Sequence, residues 1–462
     1  MLDSFRKNIA VNTDSYKASM FLQYPPGTET VYSYIESRGG VYDETVFFGL
    51  QAYIKEYLLE PVTAEQVEFA KEVWTSHGEP FNYEGWMYIV NELGGKLPIS
   101  IKAVPEGLVI PTKNVLAVIE NTDPKCFWLT TWIETSLLRA VWYPTTVATQ
   151  SRSIKKVIQG YLEETGDPAG LPFKLHDFGA RGVSSLESAV LGGMAHIVNF
   201  MGSDTISGVL GARVYYGEQM GAFSIPAAEH STITSWGREN EALAYKNMLD
   251  KFAKPGSIVA VVSDSYNILN ACDIWGTTLK QQVIDSGALV VVRPDSGHPE
   301  TVVLDVVRRL DSHYGSTVNA KGFKVLNNIR VIQGDGINEV SIRGILLNLK
   351  FAGYSADNVA FGMGGALLQI VNRDTQAFAM KCSSVEVRDQ ELDTTRWVDV
   401  YKDPVGDTSK KSKRGRVTLT LEGGEYKSGV EDWMEPVLKE VYRNGELLID
   451  YTFAEVRANS TK

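Results

Sequence analysis

The chain has 462 residues, of which 44% are hydrophobic and 22% charged, as expected for a globular protein with two domains. Its formal net charge of -11 argues against a nucleic-acid partner, because non-specific binding to nucleic acid requires a basic surface. The three cysteines, Cys126, Cys272 and Cys382, are far apart and form no CxxC pair, which argues against a disulfide framework and against a zinc site.

The start of the chain, MLDSFRKNIAVNTD, lacks the apolar stretch of a signal peptide. The longest apolar runs are far shorter than the roughly 20 residues that a membrane-spanning helix needs. We therefore expect a cytoplasmic protein with no membrane partner.

The first third of the chain mixes short strand-like and helix-like segments. In chain order, the patterns predict a strand at 30–35, helices at 47–60 and 63–74, a β meander at 97–119, and a long helix at about 127–164 that is interrupted at Pro144.

From Phe173 onward, four apolar runs each end in an acidic or glycine-rich turn. They are VAVVSDS at 259, LVVVRPDSG at 289, RVIQGDG at 330 and VAFGMGG at 359. Helical patterns separate them, for example at 301–314 and 340–352. Continuous apolar strands that alternate with helices are typical of parallel βα units, in which ligands bind where the strands end.

The C-terminal part, from about residue 375, predicts strands at 377–387 and 416–421 with a basic loop, KDPVGDTSKKSKRGR, between them. Neither chain end looks complete alone, so we expect the two to pack together. The predicted organisation is an α+β domain formed by 1–150 and 375–462 and an α/β catalytic domain formed by 151–374.

Glycines follow two successive predicted strands, in Gly334-Asp335-Gly336 and in Met363-Gly364-Gly365. Glycine allows a backbone to approach phosphate closely, although a single motif of this kind would be read as a tight turn. Two adjacent strand ends favour phosphate binding.

Asp264 and Asp295 also follow apolar strands. They could hold ribose hydroxyls or Mg²⁺ through water, or they could cap the following helices. Arg293 is two residues before Asp295 on the same strand face, where it could grip phosphate or pair with one of the acids.

His230, which follows Glu229, could be a general acid or a nucleophile, or a half-buried histidine without a catalytic role. The basic loop could be a solvated charge run, a nucleic-acid patch or a lid over a polyphosphate. Tyr16 and Phe178 could stack on a flat ring or belong to the core. These residues predict an α/β enzyme for a phosphorylated sugar with an anionic leaving group. They do not identify the nitrogenous base that reacts with the sugar.

A series of long motifs resembles the nicotinamide phosphoribosyltransferase family from end to end. The motifs are NTDSYK at 12, QYPPGTETVYSYIESR at 23, LHDFGARGVSS at 175, FMGSDTISG at 200, SIPAAEHSTITSWG at 224, VSDSYNILNAC at 262, VRPDSGHP at 292, VIQGDG at 331, AFGMGGALLQ at 360 and KDPVGDTSKKSKRGR at 402.

The resemblance implies an irregular α/β barrel of the type II phosphoribosyltransferase kind, a second α+β domain built from both chain ends, and a homodimer with its sites at the interface. It implies that nicotinamide attacks the anomeric carbon of phosphoribosyl pyrophosphate in NAD salvage and that pyrophosphate leaves. Mg²⁺ would neutralise the pyrophosphate. ATP hydrolysis would be coupled to synthesis through a phosphohistidine at His230.

The resemblance also implies roles for individual residues. Phe178 and the partner subunit's Tyr16 would sandwich the pyridine ring, and Arg181 and Asp204 would face its amide. The remaining implied roles are ribose binding by Asp295 and Gly334; 5′-phosphate binding by Gly364, Gly365 and Arg373; pyrophosphate binding by Arg38, Arg293, Lys381, Lys402 and Lys410; substrate binding by Asp14, Ser224 and Asp335; and catalytic roles for Glu229, His230, Asp264 and Asp295.

Three other functions compete with this one. A nicotinate phosphoribosyltransferase would not place a carboxylate such as Asp204 against the substrate's own carboxylate. A non-catalytic binding protein would not need His230, Asp295 and the basic loop together. An unrelated sugar-phosphate enzyme would lack the aromatic clamp.

Overall fold

The computed structural model describes residues 5–389, 391–403, 411–430 and 435–462. The chain divides into two compact units. We call Met1–Thr149, Val214–Glu218 and Asn372–Lys462 the terminal unit, and Gln150–Arg213 and Gln219–Val371 the barrel unit. Within the described residues, no helix is long and apolar enough to cross a membrane.

The elements of the first 165 residues alternate between strands and helices. The strands are β1 (Thr28–Ser37), β2 (Glu44–Val46), β3 (Ile99–Ala103), β4 (Val109–Pro111) and β5 (Val115–Asn121). The helices are α1 (Leu50–Tyr53), continued by a π-helical turn at Ile54–Leu58, then α2 (Ala64–His77), α3 (Tyr83–Glu92), α4 (Leu129–Trp132) and α5 (Glu134–Thr165), with 3-10 turns at Ser15–Lys17, Met20–Leu22 and Pro124–Cys126.

The middle of the chain has a βα pattern. Its strands are β6 (Leu175–Asp177), β7 (Gly202–Ser203), β8 (Ile258–Val262), β9 (Leu289–Arg293), β10 (Ser316–Val318), β11 (Lys324–Leu326), β12 (Ile329–Gln333) and β13 (Val359–Met363). Its helices are α6 (Leu186–Ile197), α7 (Ile206–Tyr216), α8 (His230–Thr234), α9 (Glu241–Phe252), α10 (Ile268–Gly276), α11 (Lys280–Ser286), α12 (Pro299–Tyr314), α13 (Glu339–Phe351) and α14 (Gly365–Leu368), with 3-10 turns at Pro168–Phe173, Arg238–Asn240 and Ala356–Asn358.

The C-terminal part consists mainly of antiparallel strands. They are β14 (Phe378–Asp389), β15 (Thr394–Asp399), β16 (Thr418–Glu422), β17 (Glu425–Gly429), β18 (Lys439–Arg443) and β19 (Glu446–Leu447). A 3-10 turn at Arg373–Thr375 precedes them, and α15 (Phe453–Asn459) follows.

The terminal unit is built on a seven-stranded sheet in the order β15-β14-β1-β5-β3-β18-β19. Strand β1, in the interior of the sheet, pairs antiparallel with β14 on one side, where Tyr34 lies opposite Lys381, and with β5 on the other. The tryptophans Trp86, Trp128 and Trp132 pack edge to face in its core. This pairing confirms the expected α+β fold built from both chain ends.

The barrel unit contains a six-stranded parallel sheet in the order β7-β6-β13-β12-β9-β8. The segment 223–227 connects its two edges, because Phe223 bridges Gly202 of β7 and Ala227 bridges Ala260 of β8. The sheet therefore curls into an irregular barrel, and the expected fold class is confirmed. The carboxyl ends of all its strands meet at one rim.

The predicted interruption at Pro144 is wrong. α5 continues through this residue as one helix of 32 residues. Proline removes one hydrogen bond, but flanking residues such as Val141 and Val147 are fully buried, and tertiary packing stabilises most helices more than propensity does. The proline ring has room because it packs against Gly49, where a Cβ would lie 2.4 Å from Pro144 Cγ.

Candidate active site

A cavity of about 390 Å³ lies inside the barrel unit. Its lining includes the first and the last residue of β8 and of β9, so the cavity extends along the full length of these strands. At the carboxyl rim its lining includes Phe178, Asp204, Ser224 and Arg293, and at the opposite end Lys174, Arg330 and Asp357. The cavity wall between these ends is apolar, for example at Ala260, Val291 and Ile332.

Phe178 follows β6 directly and lies over β13. Its backbone N–H donates to Met363 O at 3.0 Å. A Cβ on Gly362 would lie 1.9 Å from Phe178 Cε2, so this ring position requires glycine at 362. The guanidinium of Arg293 lies 5.6 Å from the centre of the ring. One face of a flat ligand could therefore stack on Phe178 beside a cation.

Asp204 also lines the cavity at its carboxyl rim. Its Oδ1 accepts a hydrogen bond from Ser224 Oγ at 2.6 Å, and its backbone N–H donates to Asp177 O at 2.9 Å. His176 also lines the cavity. Burial lowers the pKa of His176, and the nearby Asp204 carboxylate opposes this effect. Arg181 is exposed in the turn after Phe178.

Asp177, the last residue of β6, is a buried carboxylate that the sequence analysis did not identify. Its Oδ1 accepts from Gly179 N at 2.7 Å, which fixes the turn containing Phe178. Burial, and to a smaller extent the charge of Asp204, raises the pKa of Asp177 to about 6. Its position at a strand end, like those of Asp264 and Asp295, is the signal that could have revealed it.

His230 begins α8 and faces two carboxylates. Its Nδ1 lies 3.2 Å from Ser265 Oγ, and its Nε2 lies 3.6 Å from Asp264 Oδ1 and 3.5 Å from Asp295 Oδ2. The structure thus brings three of the predicted catalytic side chains together. The fourth, Glu229, precedes the helix, where its backbone N–H donates to Thr232 Oγ1 at 3.3 Å and its carboxylate accepts from Ser231 Oγ.

Neither acid of this cluster caps a helix. Asn267 caps α10, accepting from the backbone N–H groups of Leu269 and Asn270, and His298 occupies the N-cap position of α12. The side chain of Asp264 is only 3% exposed, and its Oδ1 accepts no hydrogen bond from any residue in the described part of the chain. The capping interpretation of Asp264 and Asp295 is therefore wrong.

Arg293 pairs with Asp295, as one of the two interpretations of its position predicted. Gly334 lies against both, since a Cβ there would be 3.2 Å from Arg293 Nε and 3.3 Å from Asp295 Oδ1. Next to it, Asp335 is exposed, and its carbonyl accepts from Gln333 Nε2 at 2.9 Å. After β13, Gly364 occupies the N-cap position of α14 and Gly365 is its first residue. Glycine backbone thus forms part of the carboxyl rim.

Except for Arg293, which is in the barrel unit, the basic residues predicted to bind phosphate belong to the terminal unit. Lys381 is on β14. Burial lowers the pKa of its ammonium group, and the positive charges of Arg38 and Arg373 lower this pKa further. Lys17, which the sequence analysis missed, is a further buried cation of this group and pairs with Glu134 at 2.7 Å. The backbone of Lys402 is bonded to Ser412, whereas Lys410 lies outside the described residues.

Two further predicted residues of the terminal unit lie near its N-terminus. Asp14 Oδ2 accepts from Thr135 Oγ1 at 2.7 Å. Tyr16 is 56% exposed, and the ammonium group of Lys17 lies 5.2 Å from its ring centre.

The sequence and fold match known proteins over nearly the whole chain. Residues 173–446 match the nicotinate phosphoribosyltransferase (NAPRTase) family, and residues 8–101 match the N-terminal domain of nicotinamide phosphoribosyltransferase. The chain is 57% identical to a nicotinamide phosphoribosyltransferase of Xanthomonas campestris over 98% of both chains. It is 33% identical to one of Mycoplasma pneumoniae, over 87% of this chain and 94% of that one.

The crystal structure of a nicotinate-nucleotide pyrophosphorylase from Pyrococcus furiosus has a similar fold, with a TM-score of 0.62 at 17% identity over 99% of this chain and 95% of that chain. Together with the curled parallel sheet, these matches define a phosphoribosyltransferase, an enzyme of the pentosyltransferase class. Within that class, the chain belongs to the nicotinamide phosphoribosyltransferase family.

Proposed function

We propose that this enzyme joins nicotinamide to phosphoribosyl pyrophosphate, forming nicotinamide mononucleotide and pyrophosphate in NAD salvage. The observation that carries the proposal is the pairing of an aromatic face, Phe178, with a carboxylate, Asp204, at the carboxyl rim of the cavity. An aromatic face can stack on a pyridine ring. A carboxylate is an acceptor only, which matches the NH₂ donor of an amide.

The reaction needs no proton transfer to start. The pyridine nitrogen forms a bond to the anomeric carbon of the ribose while the bond from that carbon to the pyrophosphate oxygen breaks. Positive charge develops on the sugar in the transition state, and the carboxylates of Asp264 and Asp295 lie at the rim where they can stabilise it. Stacking on Phe178 would hold the nitrogen in line with the carbon, so that positioning supplies much of the rate enhancement.

The ribose and 5′-phosphate would bind along the glycine turns. Asp295 and Gly334 are adjacent, so a carboxylate oxygen and a backbone group can reach neighbouring ribose hydroxyls. Gly364 and Gly365 are the N-cap and the first residue of the short helix α14, whose N–H groups would bind the 5′-phosphate together with Arg373. Asp14, Arg181, Ser224 and Asp335 would complete the substrate contacts, and Arg38, Arg293, Lys381, Lys402 and Lys410 would bind pyrophosphate.

The residues present fit a magnesium ion that is carried by the substrate. Asp264 Oδ1 is a buried oxygen to which no described residue donates a hydrogen bond, and oxygen is the ligand that Mg²⁺ prefers. The described residues contain no group of three or more His, Cys, Asp or Glu arranged to hold a metal by themselves. We infer that Mg²⁺ would be bound through pyrophosphate near Asp264 and Asp295, with the Oδ1 of Asp264 as its protein ligand. When bound, Mg²⁺ would neutralise the charge of the leaving pyrophosphate.

We further propose that ATP is a co-substrate and phosphorylates His230. A ring nitrogen would form a bond to the γ-phosphorus, the bond to the ADP oxygen would break, and water would later hydrolyse the phosphohistidine to inorganic phosphate. Ser265 holds Nδ1 and the two carboxylates face Nε2, so the ring is oriented before the reaction. Glu229, at the start of α8, would fix the backbone of this residue.

We also propose a homodimer in which the partner subunit's Tyr16 completes the aromatic clamp with Phe178. Exposure of the Tyr16 ring within one chain is consistent with a contact made in trans.

A nicotinate phosphoribosyltransferase is the second candidate, because residues 173–446 match that family. The two functions are separated by supplying nicotinamide and nicotinic acid in parallel with phosphoribosyl pyrophosphate, Mg²⁺ and ATP. We expect nicotinamide mononucleotide, identified by mass spectrometry, with pyrophosphate released in equal amount. Nicotinic acid mononucleotide as the main product would instead support the second candidate.

A further inference from the structure

Glu36, a carboxylate on β1 that is only 3% exposed, lies between Arg38, which the proposed function assigns to pyrophosphate, and Lys413, which lies in the same C-terminal segment as Lys402. Its Oε1 accepts from Arg38 Nε at 3.3 Å, and its Oε2 forms an ion pair with Lys413 Nζ. We propose that Glu36 is a positioning residue for the phosphoribosyl donor, acting on Arg38 directly and on Lys402 through Lys413. The inference rests on the proposed function and adds to it a residue that does not touch the substrate.

Lys413 is anchored to β1. Besides its ion pair with Glu36, Lys413 donates a hydrogen bond from its backbone N–H to Tyr34 Oη at 2.9 Å, so two neighbouring residues of β1 hold it. The preceding residue, Ser412, exchanges two hydrogen bonds with Lys402, at 2.8 Å and 3.1 Å. The backbone position of Lys402 is therefore linked to the contacts of Lys413 with β1 and with Lys113 O, to which its Nζ donates at 2.8 Å.

Arg38 is oriented by Glu36 in a group of neighbouring cations. Burial lowers the pKa of Lys381, and the positive charges of Arg38, Lys17 and Arg373 lower it further against the opposing effect of Glu134, so each of these three cations repels Lys381. A guanidinium without a partner would move away from Lys381 into solvent. Glu36 accepts a hydrogen bond from the Nε of Arg38, and Tyr34 is a second partner of this guanidinium, so the side chain is held in one orientation in which its remaining N–H groups can donate to phosphate oxygens.

Removal of the Glu36 charge has two opposing consequences. Pyrophosphate would meet less negative charge nearby, which favours binding, but Arg38 and Lys413 would each lose a charge-assisted hydrogen bond. One such bond corresponds to about a tenfold change or more in an equilibrium constant. The carboxylate charge is already shared by two cations, so we expect the loss of orientation to dominate.

The experiment compares the wild-type enzyme with Glu36→Gln and Lys413→Met. For Glu36→Gln we expect KM for phosphoribosyl pyrophosphate to rise about tenfold or more, while KM for nicotinamide and kcat change far less. For Lys413→Met we expect a smaller rise, because Arg38 keeps its partner. Calorimetric titration with pyrophosphate and Mg²⁺ should show the same order of affinities without turnover.

Glu106→Gln is the matched control. Glu106 is also a buried carboxylate of the terminal unit, but its partners are Gln51 N at 2.6 Å and Tyr216 Oη at 2.5 Å. A general loss of stability would affect both glutamine variants, whereas a positioning role changes donor binding only in Glu36→Gln. Equal KM values for the donor in the two variants, or tighter pyrophosphate binding by Glu36→Gln, would overturn the inference. A wild-type enzyme that binds neither donor nor pyrophosphate would overturn the proposed function as well.

Discussion

Arg293 and Asp295 form a forked ion pair at the end of β9. Arg293 Nε and Nη2 lie 3.0 and 2.8 Å from Asp295 Oδ1, and Nη2 lies 2.9 Å from Oδ2. The same Oδ2 is 3.5 Å from His230 Nε2. Asp295 therefore connects a proposed pyrophosphate ligand to the proposed phosphorylated histidine, and a change in either partner should affect its orientation.

Arg293→Lys tests this connection. Lysine keeps the positive charge but cannot form the fork, so we expect kcat/KM for phosphoribosyl pyrophosphate to fall about tenfold or more. The matched control is Arg309→Lys, which disrupts another forked pair of the barrel unit, to Asp273 at 2.7 and 2.6 Å between α12 and α10. Steady-state kinetics should show the loss only for Arg293→Lys. An equal loss in both variants would mean that the pair at Arg293 is merely structural.

His230→Ala should abolish phosphorylation by ATP. Incubation with γ-labelled ATP should give the wild-type enzyme an acid-labile, alkali-stable label, because the phosphate would be bound to a ring nitrogen. His313→Ala is the control, since His313 Nε2 also lies beside a carboxylate, 2.8 Å from Asp273 Oδ1, but outside the proposed site. Label that persists in His230→Ala, or disappears from His313→Ala alone, would contradict the assignment.

The sequence was most informative where strands are long and apolar. β8, β9, β12 and β13 each have five residues, and their pattern located the acids and glycines at their ends. β6 has only three residues, too few for a pattern, so Asp177 at its end was missed. The segment 223–227 was missed because two single bridges define it, and such bridges depend on the edges they join rather than on local sequence.

The charge relationships of the terminal unit could not be predicted from the sequence. Glu36 and Lys413 are 377 residues apart in the chain, and the pairings of β1 with β14 and of β3 with β18 bring the two chain ends together. The sequence of the basic loop contains many cationic residues, but it does not reveal which of them are held by contacts with other parts of the chain. The long-range contacts that decide between a solvated cation and a held one have no local signature.

Asp177 should make the stability of the enzyme depend on pH. Its pKa in the folded protein is raised by burial to about 6, above an ordinary value of 3.8. A carboxyl group with a raised pKa contributes stability that is fully present below pH 3.8 and is lost as the pH rises through 6. This difference corresponds to about 3 kcal/mol. Asp177→Asn removes the titration, so its free energy of unfolding relative to wild type should increase from pH 4 to pH 7.

Urea unfolding of the wild type and of Asp177→Asn from pH 4 to pH 7 measures the effect. The change of the difference in unfolding free energy with pH tests the prediction, whereas a constant difference at every pH does not. Asp273→Asn serves as the control. Hydrogen bonds from Arg309 and His313 lower the pKa of Asp273 to about 2, so its contribution is lost only as the pH falls from about 4 to about 2, and the free energy of unfolding of this variant relative to wild type should stay nearly constant from pH 4 to pH 7. Parallel pH profiles for wild type and Asp177→Asn would contradict the predicted titration.

Mixed dimers test the shared aromatic clamp. Tyr16→Ala and Phe178→Ala should each be nearly inactive, because one face of the pyridine ring would lose its stacking partner. After subunit exchange, one site of a Tyr16→Ala/Phe178→Ala dimer would carry neither change, so activity should return. Mixing Phe178→Ala with Arg293→Ala is the control, since both residues belong to the barrel unit and every site keeps one defect. Recovery in both mixtures, or in neither once exchange is verified, would refute the clamp.

The preference of the enzyme for nicotinamide over nicotinic acid should depend on the charge of Asp204. Nicotinic acid would place a carboxylate against Asp204, and two unit charges about 4 Å apart repel by about 4 kcal/mol at an effective dielectric constant of about 20. Half of that value still gives more than a tenfold preference for the amide. Asp204→Ser keeps a small hydrogen-bonding oxygen and removes the charge.

For Asp204→Ser we expect nicotinic acid to gain relative to nicotinamide in kcat/KM by about tenfold or more. Ser224→Ala is the control, because it removes the 2.6 Å hydrogen bond to Asp204 Oδ1 but leaves the carboxylate. That variant should weaken binding of nicotinamide while it still rejects nicotinic acid. If the ratio of the two kcat/KM values in Asp204→Ser stays at the wild-type level, Asp204 supports only the start of α7, and selection of the amide must come from another residue of the cavity.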